Sequence, residues 1–253
     1  MIIDRPSPSH IPALRALWRE AFGDGEDFLD VFERTAFSCE RCRCVIEDNT
    51  VTAALYWFDC SHSGQRVAYL YAIATAKEYR GRGLCTSLME DTHRHLRWLG
   101  YVGALLVPAK EELFGFYEKL GYSVCTHIGE LRCPASEHSA DIRQIGADEY
   151  ARLRRELLPE GGVIQENENL KFLQTQAELY ATKESLLAAR REGDILCGAE
   201  LLGNTDSAPA IVRALGCAKG RFRVVGKDKP FAMYRPLNGC KSAAPTYFGL
   251  AFD

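Results

Sequence analysis

The spacing of apolar residues predicts the first elements of the chain. A period near 3.6 residues predicts a helix over residues 7–23 and another over 26–37. The first helix would place five large apolar side chains on one face: Ile11, Leu14, Leu17, Trp18 and Phe22. Pro12 falls in its first turn, where a missing N–H removes no hydrogen bond. With the short β-like start "MIID", the pattern therefore predicts a strand followed by two amphipathic helices.

The period then changes to that of strands. A hairpin is predicted from residues 41–48 and 50–60 around the turn Asp48-Asn49. Residues 65–76 predict a strand too apolar to alternate, so we expect both of its faces to be buried. The remaining elements are a helix from Leu84, a strand at 101–109, a helix at 111–121 closed by Gly121, and a final β segment at 122–133. The order β-α-α-β-β-β-α-β-α-β predicts a mixed α/β domain of about 135 residues.

The second half predicts a smaller α/β domain. Residues 134–142, "PASEHSADI", are typical of a linker, so we divide the chain into domains at 1–135 and 136–253. Behind the linker the pattern predicts a helix at 146–159, a short helix near 170–177, a hairpin at 185–204, a strand at 209–217 and a β-rich tail. Because residues 70–83 can be aligned with 211–224, the second domain is either a degenerate copy of the first or an unrelated fold.

Composition and charge exclude several functions. Of the 253 residues, 47% are apolar and 26% are charged, which is typical of globular proteins. A net charge of −3 argues against a nucleic-acid partner, which needs a basic face. No run reaches the roughly 18 apolar residues of a membrane helix, and "MIIDRPSPSH" does not resemble a signal peptide. We therefore expect a cytoplasmic protein without a membrane partner.

The ten cysteines favour reduced thiols over a metal site. Cys39, Cys42 and Cys44 lie close together, and Cys60 lies two residues before His62. A zinc site would need a second tight pair at a defined distance, which the sequence does not show. We expect buried thiols and no metal cofactor, with zinc binding as the weaker alternative.

The stretch "EYRGRG" at residues 78–83 is the main candidate for chemistry. A strand, a glycine-rich turn and the start of a helix together form an anion site, because the first N–H groups of the helix point outward at its positive end. Gly81 and Gly83 would permit close approach, and Arg80 and Arg82 would add positive charge. Neither the phosphate loop GxxxxGK[ST] nor the dinucleotide pattern GxGxxG is present, since Thr86 stands at the third glycine. A purely structural turn remains the alternative.

The combination of "YRGRGLCTSLM", "LLVPA" and "FYEKLGY" resembles the GCN5-related N-acetyltransferase (GNAT) family over residues 1–133. The family motif Arg/Gln-x-x-Gly-x-Gly/Ala matches Arg80 at its first position and Gly83 at its glycine. Cys85 departs from the Gly/Ala position, and Lys110 stands where the family often has Asn. Tyr117 matches the tyrosine of the later helix. The resemblance implies the GNAT fold, with acetyl-CoA as co-substrate.

The resemblance also implies roles for particular residues. The pyrophosphate would lie on backbone N–H groups at the turn and the helix start, which comprise Arg80, Gly81, Arg82, Gly83, Leu84, Cys85 and Thr86. The pantetheine arm would follow the strand at Ile73, Ala74 and Thr75, where a main-chain N–H could stabilise the oxyanion. Tyr117 would donate a proton to the leaving thiolate.

The acceptor side is less defined by the sequence. Tyr69 and Tyr71 could line the acceptor site, and the candidate proton acceptors are Glu26, Asp27, Asp59 and His62. For each of these, an ordinary structural or surface role is the competing interpretation. Tandem relatives of the enhanced-intracellular-survival type use the carboxylate of the chain terminus as the base. The corresponding carboxylate here belongs to Asp253.

The function that follows is an acetyl-CoA-dependent N-acetyltransferase acting on a primary amine of a small molecule or peptide. The alternative is an acyl-CoA-binding or regulatory module without turnover. The second domain would not bind coenzyme A, because "CAKGRFRVVGK" lacks the glycine pair. That domain could instead wall the acceptor pocket or mediate a homodimer.

Overall fold

A computed structural model of the protein describes residues 1–48, 50–237, 239 and 243–252. The first ten elements are β1 (Ile2–Asp4), α1 (Ile11–Phe22), α2 (Glu26–Thr35), β2 (Cys42–Glu47), β3 (Thr50–His62), β4 (Gln65–Thr75), α3 (Leu84–Trp98), β5 (Gly103–Leu106), α4 (Glu112–Lys119) and β6 (Ser123–Val124). They follow the predicted order, although Asn49 of the predicted hairpin turn lies outside the described residues.

The later elements begin with β7 (His127–Pro134), β8 (Arg143–Gln144), α5 (Ala147–Leu157), β9 (Ile164–Gln165), α6 (Glu168–Leu173) and β10 (Glu178–Ala181). They continue with β11 (Ser185–Glu192), β12 (Ile195–Gly203), α7 (Ala208–Ala214), β13 (Lys219–Val225), β14 (Lys229–Pro230) and β15 (Met233–Pro236). No helix among these described elements is long and apolar enough to cross a membrane.

The chain forms two compact units. The first contains residues 1–123 and 233–243, and the second contains 124–232 and 244–253. The first unit is built on a sheet with the order β1-β2-β3-β4-β5-β15-β6, and the second on a sheet with the order β8-β10-β11-β12-β13-β7-β14. The fold is therefore the expected mixed α/β class in both halves.

The two sheets share one topology. In each, three antiparallel strands lead to a parallel pair, β4 with β5 or β12 with β13. The parallel pair is joined by a helix, α3 or α7, as a parallel connection requires. A short first strand and two helices precede the antiparallel strands in both units. This correspondence supports the interpretation of the second half as a copy of the first.

The sixth strand of each sheet comes from the other half of the sequence. β7 follows α4 but pairs with β13 in the second unit, from Pro134 opposite Lys219 to Ile128 opposite Val225. β15 follows the second sheet but pairs with β5 in the first unit. Strand pairing decides which unit a segment joins. Along the chain, the two compact units therefore meet near residue 123 and again near 232 and 243, whereas the expected boundary lay between residues 135 and 136.

Two local predictions in the second half were wrong. The predicted strand at 209–217 is mostly helix α7, because Pro209 suits its first turn and Ala208, Ile211 and Val212 bury one face. The alignment of residues 70–83 with 211–224 therefore pairs a strand with a helix.

The predicted linker at 134–142 also packs on the second unit. Ala135 N–H donates to Ala218 O at 2.9 Å, and Ala140 N–H donates to Ala210 O at 3.1 Å. Ala135, Ala140 and Ile142 contact the core that contains Phe222.

Helices cover the two faces of the first sheet. α1 packs on β3 and β4, and α3 packs on β2, β3 and β4. The helical spacing of apolar residues predicts one face of α3 with Leu84, Leu88, Leu96 and Leu99, and Met89 beside it. All of these are buried except Leu99, which follows the helix and is half-buried. The buried face of α3 also carries two polar residues, Thr92 and His93, of which the histidine bears on the site described next.

Candidate functional site

Among the residues that the structure describes, no strand pairs with the end of β4 on the β5 side. β4 pairs with β5 at three positions, from Val67 opposite Gly103 to Tyr69 opposite Leu105. β4 then continues to Thr75, still paired with β3 on its other edge through Ala74 and Thr75. Residues 70–75 therefore present backbone N–H and C=O groups toward the space left by β5.

A β-bulge distorts this same segment. Tyr56 lies opposite Tyr71 and Ala54 lies opposite Ala74, so two residues of β4, Ala72 and Ile73, face one residue of β3. Ala72 has a φ of 48°, in the left-handed region that a residue with a Cβ seldom adopts. A bulge leaves one residue out of the ladder, so it frees a backbone N–H at this point of the strand.

The turn after β4 is held by backbone and side-chain contacts. Ala76 N–H donates to Thr52 O at 2.9 Å, and Lys77 N–H donates to the Glu20 carboxylate at 2.6 Å. Thr75 is half-buried, and its Oγ1 is buried with no hydrogen-bond partner in the described part of the chain. A hydroxyl that is buried and unsatisfied beside an open strand edge fits a polar ligand group.

Gly81 and Gly83 give the turn its shape and its open surface. Both have a φ of 75°, which strains any residue with a Cβ. A Cβ placed at either position would meet no atom within 4 Å. The glycines are therefore required by backbone conformation, and the space before them is free for a ligand.

The start of α3 presents unpaired donors. The N–H of Ser87 donates to Gly83 O at 3.0 Å, which is the first bond of the helix. The N–H groups of Leu84, Cys85 and Thr86 precede that bond and have no acceptor within the helix. Gly83 at the N-cap has no side chain to cover them. A helix of 15 residues adds the positive end of its dipole at this point.

The two arginines of the turn differ in their surroundings. Arg82 contacts the Glu47 carboxylate at 3.0 Å, and its guanidinium lies 5.2 Å from the centre of the Tyr79 ring. Glu47 therefore offsets much of its charge. Arg80 donates from Nε to Thr75 O at 3.0 Å and is exposed. Because that acceptor is neutral, Arg80 contributes more positive charge to the turn.

Tyr117 lies on α4 with only 7% of its surface exposed. Its ring packs edge-on against Phe116 and Tyr122, at centroid distances of 5.2 and 6.0 Å. Within the described residues its hydroxyl makes no hydrogen bond, so that group is available to a ligand. Burial raises the pKa of Tyr117 above its ordinary value, and the nearby Cys85 raises it further. The proton therefore stays on Tyr117 at neutral pH.

The two departures from the family motif lie in different places. Cys85 is half-buried near Tyr117, and burial raises the pKa of its thiol to about 11. The group remains an uncharged thiol at neutral pH, which suits a position where small residues are usual. Lys110 is exposed before α4, where its carbonyl accepts the N–H of Leu113 at 3.1 Å.

A buried polar network behind Tyr117 was not predicted. The Tyr122 hydroxyl lies 2.6 Å from His93 Nε2, and Arg235 Nη1 lies 2.9 Å from His93 Nδ1. Arg235 Nη1 also donates to Leu120 O at 2.6 Å. Burial and the neighbouring Arg235 and Arg97 lower the pKa of His93 to about 3, so the ring is neutral. The position of His93, four residues after Met89, was the signal that its side chain is buried.

The candidate acceptor residues belong to an aromatic cluster. The Tyr71 ring lies 5.7 Å from Trp18, and the Tyr69 ring stacks on Phe58 at 5.8 Å. Tyr69 is buried, whereas Tyr71 is half-buried.

Most of the proposed bases already have partners. Glu26 binds Arg15 and Arg19, and the hydrogen bond from Arg15 lowers its pKa. Asp59 accepts from Arg66 at 3.3 Å and from the Tyr101 hydroxyl.

The other proposed bases differ in exposure. His62 is buried with Nε2 3.0 Å from Ala243 O, and Asp27 is exposed. The carboxylate of Asp253 lies outside the described residues. Among the side chains that the structure describes, no cluster of three or more His, Cys, Asp or Glu could hold a metal.

The second unit has a different turn at the corresponding point. Both loops contain a short 3-10 helix, Lys77–Tyr79 after β4 and Thr205–Ser207 after β12, but side chains close the second loop. The Asn204 side chain accepts the N–H of Asp206 at 3.0 Å, and Ser207 Oγ lies 2.9 Å from Ser185 Oγ. Side chains therefore occupy positions that are open around Gly81 and Gly83.

Comparison with known proteins agrees with this geometry. The family model for the acetyltransferase (GNAT) domain matches residues 3–125. No curated protein sequence matches the chain significantly.

The fold also has solved relatives. A GCN5-related N-acetyltransferase from Kribbella flavida superimposes with a TM-score of 0.74 at 18% identity, over 94% of this chain and 71% of that one. A GCN5-related N-acetyltransferase from Anabaena variabilis superimposes with a TM-score of 0.74 at 17% identity, over 95% of this chain and 74% of that one. Eis1 from Mycobacterium abscessus superimposes with a TM-score of 0.70 at 12% identity, over 94% of this chain and 74% of that one. At these identities the likeness shows the fold, and it extends over both units.

Proposed function

Because the acetyltransferase (GNAT) family model matches residues 3–125, we propose that the protein transfers an acetyl group from acetyl-CoA to a primary amine. The acceptor would be a small molecule or an exposed peptide amine. The observation that carries the proposal is the open glycine turn at the start of α3, beside the free edge of β4. This juxtaposition offers separate places for a diphosphate and for an extended amide-bearing arm.

The residues of the turn fit the diphosphate of the donor. Unpaired N–H groups at the start of α3, including those of Leu84, Cys85 and Thr86, would donate to its oxygens. The glycines at 81 and 83 leave space for it, and Arg80 adds charge. The Arg82 side chain plays a lesser part, because it is held by Glu47.

The free edge of β4 fits the pantetheine arm. Its two amides would pair with backbone groups of Ile73, Ala74 and Thr75, in the manner of an added strand. The buried Thr75 hydroxyl supplies one more polar contact on this path. A backbone N–H freed by the bulge at Ala72 and Ile73 would donate to the thioester oxygen as it gains negative charge.

The chemistry would then require the amine to lose a proton and the departing thiolate to be stabilised. The neutral amine nitrogen bonds to the thioester carbon, the carbon–sulfur bond breaks, and the amine loses a proton. Tyr117 would donate to the departing sulfur, whose thiolate has an ordinary pKa near 8.5. Because burial raises the pKa of Tyr117, complete transfer to that sulfur is unfavourable. Stabilisation of the thiolate by a strong hydrogen bond is the role that this environment supports best.

A non-catalytic acyl-CoA-binding module is the second candidate. It is favoured by the partners of the candidate bases, since Glu26 and Asp59 are both engaged by arginines. It would share the turn and the strand edge with the enzyme but would lack turnover.

The two candidates are separated by thiol release from acetyl-CoA with a panel of primary amines. We expect the Tyr117→Phe variant to bind acetyl-CoA as the wild type does and to show a kcat about 10²-fold lower. Tyr150→Phe is the matched control, because it removes the hydroxyl of another buried tyrosine, in the second unit. Tight acetyl-CoA binding without turnover on any amine would identify the module. Absence of binding would reject both candidates.

A further inference from the structure

The hydrogen bonds around His93 determine how its ring is protonated. Arg235 can only donate, so His93 Nδ1 must accept from it across 2.9 Å. A neutral imidazole with a free lone pair on Nδ1 carries its proton on Nε2. His93 Nε2–H therefore donates to the Tyr122 hydroxyl at 2.6 Å. Arg235 thus donates to His93, and His93 donates to Tyr122.

This network ends on Tyr122, which contacts Tyr117, the residue that carries the proposed chemistry. The Tyr122 ring packs edge-on against the Tyr117 ring, with centroids 6.0 Å apart. The N–H of Tyr122 donates to the Tyr117 carbonyl at 3.1 Å, so backbone and ring both link the two tyrosines. His93 and Tyr122 have 1% and 3% of their surfaces exposed, which leaves their side chains little freedom.

Arg235 also holds the end of the helix that carries Tyr117. Its Nη1 donates to Leu120 O, a carbonyl at the C-terminal end of α4 that the helix leaves unpaired. The Arg235 side chain passes over Gly121, where a Cβ would lie 3.5 Å from its Nε. One guanidinium thus contacts both the histidine and the helix end.

From these contacts we propose that Arg235, His93 and Tyr122 are positioning residues that hold Tyr117 in its catalytic orientation. Arg235 lies on β15, the strand that the second half of the sequence contributes to the first unit. The site is therefore incomplete within residues 3–125, because its supporting arginine lies 116 residues after Lys119, the last residue of α4. The inference rests on the proposed role of Tyr117.

A double-mutant cycle tests the coupling in the full-length protein. We expect Tyr122→Phe to lower kcat about tenfold while KM for acetyl-CoA stays within about twofold, since only the orientation of Tyr117 changes. In the Tyr117→Phe background the same substitution should have no further effect, because the group that it positions is absent. Equal losses in both backgrounds would overturn the proposal.

Substitutions of His93 provide a conservative rescue. His93→Gln retains a donor directed at Tyr122, whereas His93→Leu does not, so we expect the glutamine variant to keep the greater part of kcat. Equal losses for the two variants would contradict the network. Melting temperatures of both variants check that the fold is retained.

Carbon-13 NMR of tyrosines labelled at Cζ separates this proposal from the function on which it depends. Tyr122→Phe and Arg235→Met should each shift the Tyr117 resonance, whereas Tyr150→Phe should not. An unmoved Tyr117 resonance would overturn the positioning role, whatever the turnover. A shifted resonance in a protein that acetylates no amine would retain the positioning role and reject the proposed enzyme.

Discussion

The two units share a strand order but differ at the turn that follows the last antiparallel strand. In the first unit, Gly81 and Gly83 adopt left-handed conformations and leave the start of α3 open. In the second unit, Asn204 and Ser207 occupy the corresponding loop with their own side chains, and Asp206 adds a negative charge. The repeated part is therefore the scaffold, whereas the open glycine turn belongs to the first unit.

The interiors of the two units also differ. Aromatic rings fill the space between α1 and the first sheet, as in the contact of Trp18 with Tyr56 at 5.1 Å. Between α5 and the second sheet, Arg154 and Glu200 form a buried ion pair with side-chain exposures of 3% and 0%. The hydroxyls of Tyr150 and Tyr247 also bond to Glu200. The second unit thus relies on polar contacts at a place where the first relies on packing.

The largest expected effect comes from breaking that ion pair. Glu200→Gln should lower the free energy of unfolding by about 3–5 kcal/mol, because it leaves the buried Arg154 guanidinium without a countercharge. Asp91→Asn is the control in the first unit, where the pair with Arg43 is more exposed. Urea denaturation should show the smaller loss for Asp91→Asn. Equal losses would mean that the two interiors depend on ion pairs to the same degree.

The glycine turn provides a second test of the difference. With coenzyme A at 100 times its dissociation constant, we expect the wild type to gain about 2.7 kcal/mol of stability. Gly83→Ala should remove most of this gain, since its φ of 75° strains a residue with a Cβ and displaces the start of α3. Gly193→Ala introduces similar strain in a hairpin of the second unit, at a φ of 59°. A differential scanning measurement in which Gly83→Ala keeps the full gain would argue for a purely structural turn.

A third test uses the pH dependence of stability. His93 is neutral in the folded protein, where its pKa is about 3, and it titrates near 6.5 when unfolded. The unfolded state therefore binds more protons below pH 6.5, and stability falls as the pH decreases. Between pH 7.5 and pH 5 the wild type should lose about 2 kcal/mol more than His93→Gln. If the wild type and His93→Gln lost the same stability between pH 7.5 and pH 5, the His93 ring would be accessible to protons in the folded protein.

Local patterns predicted the elements that carry the site. The apolar run of β4, the glycines after it and the helical spacing of α3 and α4 are all properties of contiguous residues. Their assembly into one site was predicted through the family resemblance. The individual roles of Tyr117 and of residues 73–86 remain proposals.

Features that depend on distant residues could not be predicted in this way. The exchange of β7 and β15 is decided by pairing with β13 and β5, which a hydrophobic period does not encode. The contact of Arg235 with His93 follows from that exchange. The helix at 208–214 was mistaken for a strand because a short apolar run fits both periods, and Pro209 was the signal that should have decided it.

The smallest expected effect concerns the second unit. Calorimetric titration of coenzyme A should give one site per chain, and Asp206→Gly should leave that number unchanged. Removal of the carboxylate would relieve repulsion of a phosphate, but Ser207 Oγ would still donate to Asn204 O at 2.6 Å, and α7 would still have only 7 residues. Gly83→Ala, which removes a glycine from the turn of the first unit, should abolish the single coenzyme A site. A second site created by Asp206→Gly would show that charge alone distinguishes the two turns, and a second site in the wild type would show that both turns bind coenzyme A. One site in the wild type and one in Asp206→Gly would attribute the difference between the turns to the left-handed glycines.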